Sequence, residues 1–162
     1  MFHSFLAWLE ATSPAVAISE STWLFPAIEV VHVLAITLVV GSISMVDLRL
    51  LNLTVRDKPA GELIEEVLPW TWVSFGVAVL TGAMLFSSAA TKYWGTVPFR
   101  VKMLILTLAG INMLSFHASS TYRRISDWGR SRETPRAAKI AGGTSLALWI
   151  GVIACGRWIG FV

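Results

Sequence analysis

Charge is what this chain lacks most. Asp, Glu, Lys and Arg make up only 14% of its 162 residues, where a soluble domain carries about 25%. Cysteine is nearly absent. The single Cys155 cannot close an intrachain disulfide, so the sequence says nothing of redox compartment, and the thiol is expected to pack as a small apolar group. There is no Cys/His cluster with metal-site spacing, no P-loop and no nucleophile elbow. Zinc-finger, P-loop and α/β-hydrolase chemistry are thereby set aside. Met45, Met84, Met103 and Met113 lie in apolar runs without the dense pattern of a copper relay, and methionine more often fills gaps.

What is present is apolar sequence. Hydrophobic residues make up 55% of the chain, and the mean hydropathy is +0.67. Four runs, Trp23–Val46, Trp70–Ala90, Val97–Ala118 and Ile140–Val162, approach or exceed the roughly 20 helical residues that cross a bilayer core. Short connections leave no room for a second domain. The expected fold is an all-α membrane protein, a four-transmembrane-helix bundle running up-down-up-down. Residues 2–10 put Phe2, Phe5, Leu6 and Leu9 on one helical face, which suits a short N-terminal amphipathic helix in the interface. Ser13-Pro14 ends it. His3 falls in this segment and reads as a solvated interfacial residue. No cleavable signal peptide is expected, because the first apolar run is too long for one and lacks a basic leader.

A net charge of +3 does not point to nucleic acid here, because topology explains the cations. Arg49, Arg56 and Lys58 fall between spans 1 and 2. Arg123, Arg124, Arg130, Arg132, Arg136 and Lys139 fall between spans 3 and 4, and only Lys92, Arg100, Lys102 and Arg157 go to the other side. The positive-inside rule then puts both termini outside, periplasmic in a bacterial inner membrane. The inner connection 59–67 reads as a short helix closed by Pro69, with Trp70 and Trp72 anchoring span 2 and Tyr93 and Trp94 marking its exit. Small residues within the spans suit close helix packing.

Two histidines inside the spans carry the chemistry. An ionisable side chain in hydrocarbon is a functional hypothesis by default, and histidine is a common metal and haem ligand. His32 lies within span 1 and His117 near the inner end of span 3. At about 1.5 Å per residue they differ by roughly 15 Å in depth, which argues against one haem shared between them. Glu29, one turn from His32, could accept the imidazole N–H as a second-sphere partner. Alternatively it pairs with a cation and fixes helix register. The other spans carry no carboxylate, which discounts a di-iron bundle. Arg100, Lys102 and Arg157 form a candidate cationic rim for haem propionates or a quinone or lipid head group; each alone is also explained by snorkelling. Asn112, mid-span, needs a hydrogen-bond partner. His117 is either a ligand or a helix C-terminal cation.

The run from Trp23 to His32, with Gly41 and Asp47-Leu48-Arg49-Leu50-Leu51, resembles a family of small bacterial inner-membrane proteins without assigned function. So do Pro69-Trp70-Thr71-Trp72, Thr81-Gly82, Leu85-Phe86, Phe99, Lys102-Met103, Ala109-Gly110-Ile111-Asn112 and Phe116-His117. A histidine followed by Gly41 and Arg49 is also faintly similar to the first helices of HemJ-type protoporphyrinogen oxidases and the copper-resistance CopD family. That likeness implies His32 as an axial haem ligand and Lys102 as the counterpart of a third-helix lysine; the HemJ pattern in span 3 is missing. Together these readings lead to an expectation of a haem-b-binding membrane protein for electron transfer, working with quinone or a redox protein. Copper handling of CopD type and a non-catalytic subunit or scaffold, including a homo-oligomer, are the alternatives.

Overall fold

In the computed structural model, the described residues are 1–54, 58–129 and 134–161. Arg56, Arg130, Arg132 and Val162, counted above for topology and for the end of span 4, lie outside them. The helices are α1 (Phe2–Glu10), α2 (Ser13–Glu20), α3 (Leu24–Leu50), α4 (Ala60–Ser87), α5 (Ala90–Gly95), α6 (Val97–Ala118), α7 (Ser120–Arg123), α8 (Ile125–Trp128) and α9 (Arg136–Ile159). Four of them, α3, α4, α6 and α9, are long and apolar enough to cross a membrane, with mean hydropathies of 1.5 to 2.1. Large apolar side chains such as Leu34, Leu38, Leu80, Leu104 and Ile150 face outward from these helices. That arrangement needs hydrocarbon as solvent.

The expected break before span 2 does not occur. A single helix, α4, runs from Ala60 through Pro69 to Ser87. Proline removes one intrahelical hydrogen bond, which membrane helices tolerate when neighbours compensate. Here the first turns of α4 bury Ala60, Leu63 and Ile64, and that packing holds the helix together across the proline. At the other end Tyr93 and Trp94 sit on a separate short helix, α5, rather than on the end of span 2. The amphipathic α1 is present, and α2 follows it at once, beginning at the Ser13-Pro14 step expected to be a break. Glu10 of α1 accepts the backbone N–H of Thr91 at 2.7 Å, and Phe2 packs on Trp94 with ring centroids 4.8 Å apart.

Chain direction defines two ends of the bundle. The terminal end carries α1, α2, α5 and the last turn of α9. The loop end carries the connections before α4 and around α7 and α8. Helix α3 packs against α4 and α9, and α9 packs against α6, while α4 and α6 make no comparable contact. The four long helices thus form an arc, α4–α3–α9–α6, open on its α4/α6 side. The arc is seamed by Val39, Ala109, Trp149 and Val152, with Ile43, Phe75 and Leu106 against them. At Gly142 an added Cβ would stand 3.1 Å from both the Asp47 carbonyl and Leu50 Cβ. Glycine there lets α3 and α9 approach closely, and any larger residue would press its neighbours apart by a few tenths of an ångström.

The loop end is tied by one cation. Arg49 is 2% exposed. Its Nε donates to the Lys58 carbonyl at 2.8 Å, Nη1 to Asn52 Oδ1 at 3.2 Å and Nη2 to the Gly129 carbonyl at 3.0 Å. Thr134 donates to the same Asn52 oxygen at 2.7 Å, and Asn52 adopts the left-handed conformation at φ 60 that asparagine tolerates best among L-residues. One guanidinium thereby joins both loops. Hydrogen bonds from a charged donor contribute about 1.5–3 kcal/mol each, so Arg49→Met is expected to destabilise the bundle by about 3 kcal/mol or more. Arg49→Lys should not rescue it, because an ammonium lacks the planar fork. Thermal unfolding of detergent-solubilised protein measures this; an unchanged midpoint for Arg49→Met would show that the latch contributes nothing.

Candidate functional site

The open side of the arc holds two cavities, one toward each end. The terminal-end cavity, of about 500 Å³, is lined by His32 from α3, Phe75 and Phe86 from α4, Phe99 and Lys102 from α6, and Trp149 from α9, among others. Its mouth is capped by stacked rings, with Phe86 and Phe99 at 5.1 Å and Tyr93 and Phe99 at 6.1 Å between centroids. The volume falls in the range of about 300–1,000 Å³ usual for small-molecule and cofactor sites. Its walls are mostly aliphatic and aromatic, with His32 and Lys102 the ionisable groups contributed by the long helices.

His32 is fixed from two sides. Its Nδ1 lies 2.9 Å from Thr81 Oγ1, and the Thr81 hydroxyl donates its one proton to the Val77 carbonyl at 2.7 Å. A hydroxyl that has spent its proton can only accept, so imidazole Nδ1 carries the hydrogen and Nε2 keeps its lone pair. The ring also lies against the backbone of α4. A Cβ added at Gly82 would come within 2.9 Å of His32 Cε1, closer than such contacts allow. Thr81-Gly82 therefore acts as a seat: threonine sets the tautomer and glycine makes room for the ring.

The other expected site residues divide. Lys102 turns toward the cavity, and a Cβ at Gly156 would stand 3.7 Å from its Nζ. Arg100 and Arg157 are exposed, and the Arg157 guanidinium stacks over Phe161 at 4.9 Å. The cationic rim is thus reduced to one lysine at the cavity wall. Glu29 is exposed and does not take the Nδ1 proton of His32. It lies close enough to Tyr93 to act on it: burial first, and then the Glu29 carboxylate, push the Tyr93 phenol above its ordinary range.

His117 belongs to the second cavity, of about 340 Å³ at the loop end, with Asp47, Asn112 and Ser145. Its Nδ1 donates to the Met113 carbonyl at 2.9 Å, and its ring packs on Tyr122 with centroids 4.4 Å apart. Asn112 finds the partner it needs, donating to the Ala141 carbonyl at 3.0 Å and tying α6 to α9. Phe75, Leu106 and Trp149 line both cavities, which makes them the partition between the two. His32 and His117 therefore do not share a site, in line with their difference in depth. Among the described residues no group of three or more His, Cys, Asp or Glu comes together as a metal site. In sequence, Thr81-Gly82 and Asp47 stood out as parts of the family-like pattern, but nothing there tied Thr81 and Gly82 to His32 or Asp47 to a cavity.

Comparison with known proteins adds a family without a function. No curated protein and no solved structure matches the chain. Over residues 5–162 it matches the model of DUF6644, a family of unknown function, and the chain belongs to that family.

Proposed function

We propose that this protein is a membrane electron carrier that binds haem b in the terminal-end cavity through His32. The observation that carries the reading is the seat of His32. An imidazole whose Nδ1–H is held by Thr81, and whose ring is pressed on Gly82, offers Nε2 to an apolar cavity of cofactor size. Haem-ligating histidines are oriented by a hydrogen bond on the other ring nitrogen in the same way. The aromatic and aliphatic walls suit a macrocycle, and Lys102 suits a propionate. When bound, haem would supply one-electron chemistry, while the protein sets axial ligand, orientation and dryness.

The ligand count favours haem over copper. A porphyrin brings four of its own nitrogens, so one protein histidine is enough. Copper held by side chains needs several ligands at one point, and the described residues gather no such cluster. Orientation follows the cations. Lys58, Arg123, Arg124, Arg136 and Lys139 lie at the loop end, which supports a cytoplasmic loop end and outward termini in a bacterial inner membrane.

A reduced-minus-oxidised absorption spectrum of the purified protein, expressed with ample haem, tests the reading. A b-type spectrum is expected for the native chain and should be lost in His32→Ala. His117→Ala should leave it unchanged, because His117 faces the other cavity. A colourless native protein sinks the proposal. The seat gives a finer test. Thr81→Val should weaken haem retention by about 10–100-fold, the usual effect of removing an orienting partner. Gly82→Ala should displace the ring and shift or abolish the spectrum while the helix content stays. Titration with haem and circular dichroism read both; full retention in both variants would mean that the seat does not orient a ligand.

A further inference from the structure

The loop-end cavity has a chemistry of its own. Asp47 is 5% exposed, and among the described residues its Oδ2 is the buried side-chain oxygen with no hydrogen-bond partner. Leaving such an oxygen unpaired away from water is unfavourable. The Ser145 hydroxyl hydrogen-bonds the Asp47 carboxyl group and still leaves Oδ2 without a partner, and other neighbouring donors are engaged elsewhere. The Asn112 amide goes to Ala141, and the Thr71 hydroxyl has Ser42 Oγ at 2.8 Å and the Val67 carbonyl at 3.1 Å. His117 spends Nδ1–H on Met113, which leaves Nε2 as an acceptor. What the cavity offers a ligand thus includes two acceptors, a carboxylate on α3 and an imidazole nitrogen on α6, helices that do not pack on one another. A molecule that satisfies both must carry two donors on a mostly apolar body, because the rest of the lining is largely aliphatic and aromatic.

The cavity also has a side exit. Trp72 and Leu114 are among its lining residues, and they are 50% and 64% exposed on the outside of the bundle. They stand on α4 and α6, the two helices that leave the arc open. A ligand can thus enter from hydrocarbon and leave a tail there. We propose that this cavity binds the hydroquinone head group of a lipid quinol, one hydroxyl donating to Asp47 and the other to His117, with the tail passing between α4 and α6. The inference deepens the electron-carrier reading, on which the purpose of the site rests, but the binding it claims needs no haem.

The test is calorimetric titration of the full chain in lipid nanodiscs under anaerobic conditions. The probe is a decyl-substituted benzohydroquinone, with its oxidised quinone and its dimethyl ether as controls. Saturable binding of the hydroquinone is expected, with both controls about tenfold weaker or more, since neither can donate. Asp47→Asn should weaken the hydroquinone by about tenfold or more. Should Asp47→Asn fail to fold, Gly110→Leu decides. Gly110 lines the cavity, and an added Cβ there meets nothing within 4 Å, so a larger side chain has room to start and is expected to occupy the cavity and abolish binding. His32→Ala should bind as the native chain does, which separates this proposal from the haem reading. Equal binding of all three probes overturns the proposal, as does undiminished binding in Gly110→Leu. Absence of binding overturns it too, and a disulfide-linked dimer of the Trp72→Cys or Leu114→Cys variant would then assign the open flank to a second copy.

Discussion

In hydrocarbon every polar group must find its partner within the protein, and this constraint governs the bundle. The chain answers it locally and sparingly. Thr81 bonds back to its own helix and holds His32. Asn112 reaches across to a backbone carbonyl of α9, and Arg49 satisfies carbonyls from two loops at once. Each of these groups lies where two elements meet, so polar satisfaction and helix register are set together. Asp47 Oδ2 stands apart from the pattern, and for that reason draws attention to the cavity it lines.

The arc of helices explains why there is room for chemistry at all. Four helices packed in a closed ring would fill their centre with side chains. Here α3 and α9 form the spine, with α4 and α6 on its flanks and little contact between the flanks. The space between the flanks is divided by Phe75, Leu106 and Trp149. One polar arrangement lies on each side of that divide: His32 with Lys102, and His117 with Asp47. The aromatic cap from α4, α5 and α6 closes the terminal end, while α1 packs over α5 through Glu10 and Phe2.

Hydrophobic run length made the four long helices legible, because bilayer thickness imposes a minimum that few other folds imitate. The amphipathic start was legible for the same kind of reason, as a face of Phe2, Phe5 and Leu6. The continuous α4 was not, because Pro69 is a local signal against helix, and the burial of Ala60, Leu63 and Ile64 that overrides it is tertiary. The separation of His32 from His117 followed from counting residues along two helices. The partners did not: Glu29 is near His32 in sequence, whereas Thr81 is 49 residues away, and only packing brings it there. Lys102 could not be distinguished from Arg100 or Arg157 by composition, since the difference is rotation about helices whose neighbours were unknown.

The partition of Phe75, Leu106 and Trp149 has a consequence for the cell. Two polar recesses at opposite ends of one bundle would, if joined, let water line up from face to face and carry protons through it. Three apolar side chains contributed by α4, α6 and α9 stand at the one level where that file would have to pass. With these side chains between them, the ionisable groups of the two recesses are separated by apolar surface rather than joined by one continuous polar path.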